Sequence, residues 1–323
     1  MATLNLTNQL GLVELAKRKG PKGNLLAIAE VLTEDNEILQ DGVWVEANDT
    51  ASHKSVKRAS LPSGSWRKLN DGVGKEASET IEVVDTIGML ETWSEVDVDL
   101  VKMAPNPAKF RSDESLAFVE GLGQHLADTL FYGNANVDTE EFTGLAPRLA
   151  DASLPNVYDA GGSGADLTSI FLVQWGVTKT HLIYPKGSST MGVEHTDMGI
   201  DRVSGQTSNT TFRAYVDHYQ VKAGLVVRDD RRIARIANIQ TSGTSNIFDE
   251  DDLITALNKM PKRGQGAMIY CNTTILTQMD IAAKDKTNVN YGLGNIWGVP
   301  TMTFRGVPVR LCDAILDSES QVT

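Results

Sequence analysis

The densest group of chemically capable side chains in this 323-residue chain is GVEHTDMGID, residues 192–201, where Glu194, His195, Asp197 and Asp201 set three carboxylates beside one imidazole. Oxygen and nitrogen donors of these types suit a divalent ion, and a metal-bound water there would make a hydrolase centre with residues 36–80 as its lid. The same types in a Gly-rich loop also close turns through side-chain hydrogen bonds, so spacing alone leaves both readings open. His53, His125, His181, His195 and His218 are scattered over separate elements, where packing or hydrogen bonding is the default role and no triad assembles. There is no phosphate loop, dinucleotide fingerprint, HExxH, paired CxxC or nucleophile elbow around Ser163. Catalysis therefore has little to stand on, and no cofactor is expected.

Charge is more informative than motif. Residues 53–75 carry Lys54, Lys57, Arg58, Arg67, Lys68 and Lys75 against one acid, Asp71, whereas residues 76–100 carry eight carboxylates and no Lys or Arg. Within the acidic stretch, WSEVDVDLV alternates: Val96, Val98 and Leu100 fall on one face of a strand over 93–101, and Glu95, Asp97 and Asp99 on the other. A row of like charges repels itself, so a basic partner surface would stabilise it. A solvated edge strand that resists aggregation through its charges accounts for the same pattern. The net charge of −12 argues against a dedicated nucleic-acid binder, which needs a concentrated basic face. Lys17, Arg18, Lys19 and Lys22 form a small basic patch that suits phosphates or acidic protein equally well.

The elements that must position these groups follow from period and punctuation. With 41% hydrophobic and 22% charged residues the chain can bury a core, and two cysteines, Cys271 and Cys312, are too few for a disulfide framework or a zinc site of several thiolates. No apolar run reaches the ~18 residues of a membrane span, and MATLNLTNQLGL lacks the marks of a secretory signal, so a cytosolic protein without membrane contact is expected. Residues 10–17 and 24–32 read as two helical patterns of an arm. Residues 36–80 are poor in apolar groups and broken by Gly42, Pro62, Gly64, Gly72 and Gly74; they read as a projecting two-stranded ribbon that must pack on something else. A helix is predicted over Ser112–Tyr132, isolated by Pro105 and Pro107, with Val119, Leu122, Leu126 and Leu130 as its apolar stripe. Gly121 and Gly123 within it suggest close approach of another backbone. The linker AGGSG at 160–164 reads as a boundary; beyond it the apolar run at 170–175 reads as a helix end or a strand, 181–184 as a strand, and 212–227 as a strand pair turning near Gly224. A helix over 249–260, another capped by Asn272 and a final strand-turn-strand complete a mixed α+β chain.

This order of parts resembles the major capsid proteins of tailed double-stranded DNA bacteriophages, the HK97-like fold family. The resemblance is carried by ANDTASHKSVKRASLPSGSWRKLNDGV at 47–73, the acidic strand after it, LFYGN at 130–134, FTGLAPRL at 142–149, HLIYPKGSSTMGVEHTD at 181–197, GLVVRDDRRIARIANI at 224–239 and FRGVPVRLCDAIL at 304–316. It implies a non-enzymatic, self-assembling icosahedral shell subunit: an N-terminal arm at 1–35, an extended loop at 36–80, a peripheral domain at 81–165 with a spine helix at 112–132, and a mainly axial domain at 166–323. Lys54, Lys57, Arg58, Trp66, Arg67 and Lys68 of one copy are then expected against Glu95, Asp97 and Asp99 of a neighbour. Hexamers and pentamers, a separate scaffolding protein, a portal, decoration proteins and loosely held packaged double-stranded DNA are the implied partners. The implied place is the virion capsid, assembled in the host cytoplasm. No lysine cross-link is expected, since no partner carboxamide is identifiable. A cellular cargo-enclosing compartment of encapsulin type shares the same architecture.

Overall fold

The computed structural model describes residues 34–188, 192–205, 210–284, 291–296 and 299–323; the arm expected at 1–35, with its two helical patterns and basic patch, lies almost wholly outside them. The described residues fall into two compact units, each gathered from separate stretches of chain. The smaller takes Met89–Leu126 and Ser189–Lys222, and the larger takes Asp35–Gly88, Ala127–Ser188 and Ala223–Thr323. The AGGSG linker sits inside the larger unit and marks no boundary there.

In the larger unit, β5 (Val157–Asp159), β6 (Leu167–Val173), β10 (Ile233–Gln240), β11 (Met268–Cys271), β12 (Tyr291–Ile296), β13 (Val299–Phe304) and β14 (Val307–Leu311) form one sheet in the order β12-β13-β14-β11-β6-β10-β5. Every residue of β6 is buried, as a strand covered on both faces requires. Helices α5 (Glu250–Lys259) and α6 (Thr273–Ala283) lay Leu253, Ala256, Leu257, Ile275 and Met279 into the same core as Ile170, Leu172 and Ile236. Their starts are the predicted ones: Asp249 accepts the Asp251 N–H, and Asn272 accepts that of Ile275. Deep in this unit Arg235 pairs with Glu319 at 3.0 Å, both side chains about 95% shielded, with Ser169 and Tyr132 completing the network.

A second sheet region of the same unit places β1 (Trp44–Glu46), after a single helical turn, α1 (Ile38–Asp41), parallel to β7 (Thr180–Tyr184). β7 in turn pairs antiparallel with the end of β9 (Thr211–Val227). The strand pair expected at 212–227 is one unbroken strand. Gly224 does not turn it; a Cβ there would come within 2.6 Å of the Thr86 carbonyl, so the glycine permits close approach.

In the smaller unit, β8 (Val193–Ser204) runs antiparallel to the first part of β9, with a bulge at Asp197 and Gly199, and β4 (Gly88–Asp97) lies on the other side of β9. The strand expected across 93–101 stops at Asp97, whose carboxylate accepts the Asp99 N–H at 2.8 Å and starts a short helix, α2 (Val98–Met103). Val96, Val98 and Leu100 are nonetheless all buried, and Val96 and Leu100 share one cluster with Val101, Ala104 and Phe110. The long helix, α3 (Pro107–Tyr132), belongs to this unit as far as Leu126 and to the larger one from Ala127, and begins five residues before the predicted Ser112. Asn106 caps it through the Lys109 N–H, and Pro107 occupies the first turn, where its missing N–H costs nothing. Leu122, Leu126 and Leu130 are buried, but Val119 is 37% exposed. Among the described residues nothing comes within 4 Å of a Cβ built at Gly121 or Gly123, so no described backbone accounts for them.

Candidate functional site

Strands β2 (Ser52–Arg58) and β3 (Thr80–Thr86) form a separate two-stranded hairpin, paired in register from Ser52↔Thr86 to Arg58↔Thr80. The ribbon read from sequence exists, yet it reaches six residues past 80, because the acidic TIEVVDT supplies its return strand. Strand parity gives the hairpin two faces. His53, Ser55 and Lys57 share one with Val83 and Asp85; Lys54, Val56 and Arg58 share the other with Glu82 and Val84.

The inward face is anchored. Arg148, on α4 (Leu145–Arg148), donates to Asp85 at 2.7 Å, to the Leu225 carbonyl at 3.0 Å and to the Thr143 carbonyl at 3.2 Å. His53 is buried beside Arg228, with 3.1 Å between its Nε2 and the guanidinium, and meets the buried His181 edge to face at 5.6 Å. Lys57 reaches Asp230 of its own chain at 2.7 Å. The outward face and the connecting residues 59–79 are different in kind. Every one of those twenty-one residues is exposed, with Leu61, Leu69 and Trp66 at 75%, 90% and 104% of full accessibility. The loop holds itself together by a few polar contacts, among them the Ser63 and Gly64 N–H groups on Glu76.

The predicted contact residues therefore divide. Lys54 is exposed and 3.6 Å from Glu82 across the ribbon. Lys57 faces inward, one residue out of step with Lys54 and Val56, and pairs with Asp230 of its own chain. Arg58, Arg67 and Lys68 are exposed and form no ion pair with the described residues. Asp97 is spent on capping α2, and Asp99 pairs with Lys102 at 3.1 Å, so the acidic row is a strand end and a helix start in place of a flat wall; Glu95 is half-buried. Beside it in the smaller unit, β4 and α3 leave a groove of about 490 Å³ lined by Leu90, Glu91, Thr92, Phe118, Gly121 and Leu122.

The carboxylate-imidazole segment does not converge. Asp197 is held below the ordinary carboxylate range by the Gly199 amide and by Arg111, which bridges it to Asp217 at about 3 Å. His195 also turns to Asp217, at 3.0 Å, and stacks on Tyr219 at 4.7 Å. Glu194 and Asp201 are exposed on β8, where strand pairing, not a loop, fixes them. Among the described residues no three His, Cys, Asp or Glu side chains gather as metal ligands. Sequence reading missed Arg148, Asp85, His181 and Arg228. Their only linear signal was the basic-acidic mirror that pairs 52–58 with 80–86, and nothing in it points to 148, 181 or 228.

A family model described as major capsid protein GP7 matches residues 20–323. The chain is similar to that of the near-atomic cryo-EM structure of bacteriophage Epsilon15, with 31% identity, a TM-score of 0.71 and all of both chains covered. The capsid of bacteriophage JBD30 is similar in fold at 12% identity and a TM-score of 0.53, covering 88% of this chain and 93% of that one. Among curated proteins nothing matches.

Proposed function

The chain belongs to the major capsid protein GP7 family, and from that premise we propose how one copy grips the next. It is a bacteriophage shell subunit of HK97-like fold, a structural and non-enzymatic class, whose place is the virion capsid and whose assembly is of like copies. The finer reading is that the copies form hexamers and pentamers of an icosahedral shell around double-stranded DNA. Residues 1–35 serve as arm, 36–80 as extended loop, 81–165 with α3 as peripheral domain and 166–323 mainly as axial domain. A scaffolding protein, a portal and decoration proteins complete the list of partners, and the host cytoplasm is the place of assembly.

The carrying observation is the hairpin tip. A fully exposed Trp66 flanked by Leu61 and Leu69 on a loop with no packing of its own is costly in water and marks an interaction surface. Its partner is a second copy: the tip lies over the neighbour's β4 and α2, with Trp66 in the groove above Gly121 and with Lys54, Arg58, Arg67 and Lys68 beside Glu91, Glu95, Asp97 and Asp99. Magnitudes assign the roles. Rim ion pairs contribute ~0–1 kcal/mol each, whereas a buried Trp anchor contributes on the order of 2 kcal/mol or more, so charge sets register and the apolar tip sets cohesion. The open space at Gly121 then has a use, since a side chain there would fill the groove.

Light scattering and electron microscopy of the purified subunit, with scaffold added where needed, test this reading. Closed particles or capsomers are expected for the natural chain, and Gly121→Leu should fold yet assemble poorly. Undiminished particle yield from Gly121→Leu would remove the groove from the contact, and a monomer under every condition would remove the contact itself.

A further inference from the structure

The root of the β2–β3 hairpin joins the body through groups that tolerate one protonation state. An arginine only donates, so the 3.1 Å contact from the Arg228 guanidinium requires a lone pair on His53 Nε2 and puts the ring proton on Nδ1. That Nδ1 is buried without a partner among the described residues, and so are both ring nitrogens of His181, Nε of Arg228 and Oδ2 of Asp85. His53 and Asp85 face each other on the hairpin, His181 lies on β7, Arg228 follows β9, and Arg148 on α4 holds the other oxygen of Asp85. These are the titratable and charged groups facing the two imidazoles. A proton added to His53 turns its acceptor into a donor aimed at a guanidinium. One added to His181 leaves a buried cation with no acceptor, beside Arg228.

We propose that this root is an acid-released latch: neutral His53 and His181 seat the hairpin on the β7–β9 sheet, and their protonation frees β2 and β3 while the seven-stranded sheet stays closed. Burial and then Arg228 push both imidazoles below their ordinary value of 6.5, His181 to about 4, and Asp85 opposes this only weakly at His53. A group whose value is lowered on docking stabilises the docked state fully above the undocked value. It loses that contribution as pH falls from about 6.5 toward about 4, the docked value of His181. Opening takes up a proton, so it is favoured by roughly tenfold per pH unit for each titrating histidine.

Hydrogen exchange on the full chain between pH 7.5 and pH 4.5, corrected for intrinsic rates, reads this directly. Protection of amides in 52–58 and 80–86 should fall between pH 6.5 and pH 4.5 by at least roughly fortyfold, the share of His181 alone, while that of 167–173 and 233–240 is unchanged. His181→Leu removes two unpartnered buried nitrogens, so it should fold and show a flattened response. His53→Gln keeps an acceptor for Arg228 without a titrating ring and should do the same. Constant or rising protection on acidification, as would follow if His53 swung its new proton onto Asp85, overturns the latch. An unaltered acid response in both variants overturns the assignment to these histidines. Neither readout depends on whether copies assemble.

Discussion

The two ends of the β2–β3 hairpin are similarly rich in charge and have opposite fates. At the root, basic and acidic side chains face each other from Ser52↔Thr86 inward, and Arg148, Lys57 and His53 tie them to the rest of the chain. At the tip, Arg67, Lys68 and Lys75 stand in solvent with Trp66, Leu61 and Leu69. The contrast teaches that a charge-rich ribbon need not be uniform. Its root is finished within one chain and contributes to that chain's stability, whereas its tip leaves Leu61, Trp66 and Leu69 unburied among the described residues.

Breaking the root should show in the subunit, and breaking the tip only in the assembly. Arg148→Ala leaves Asp85, 4% exposed, as an uncompensated buried charge, and urea denaturation should record a loss of about 3–5 kcal/mol. A loss below about 1 kcal/mol would mean that the root closes without this pair. Trp66→Ala should leave subunit stability within about 0.5 kcal/mol, as for other exposed substitutions, yet weaken each contact by about 2 kcal/mol. That corresponds to roughly a thirtyfold rise in the protein concentration at which particles appear by light scattering.

Lys57→Ala sharpens the comparison. Its partner Asp230 is 68% exposed, so the pair is screened, and a cost of about 1 kcal/mol or less to the subunit is expected, again by urea titration. Assembly should be untouched, since Lys57 faces inward. The smallest effect belongs to reversal of Arg58, Arg67 and Lys68 to Glu. Subunit stability should not move, and assembly should weaken at low salt and approach that of the natural chain near 1 M, where the Debye length falls to about 3 Å. Salt-independent impairment by this triple variant would rule out electrostatic register.

Much of the scaffold was legible because its signals are local. The acidic cap before Glu250, Asn272 ahead of α6 and the strand-turn-strand at the C-terminus each depend on neighbours within a few residues, and all three form as the sequence predicts. Errors arose where one residue type serves two roles. Pro107 reads as a barrier but opens α3. Asp97 reads as one tooth of an alternating strand but caps α2. Gly224 reads as a turn, yet its missing side chain makes room for the Thr86 carbonyl. The carboxylates and imidazole of 192–201 have the right chemistry for a metal, and pairing along β8 and β9 keeps them apart.

The amino-acid order alone determined that a basic stretch precedes an acidic one and that strand, cap and helix signals lie where they do, because propensity, capping and charge act over a few residues. Which charges meet was decided by tertiary structure. Strand parity turned Lys57 toward Asp230 and left Lys54 outside; folding brought residues 148, 181 and 228 to the hairpin root; and the same packing left Trp66 bare. Contacts at such separations carry no local pattern, since the free energy that forms them is released only when distant segments are buried together.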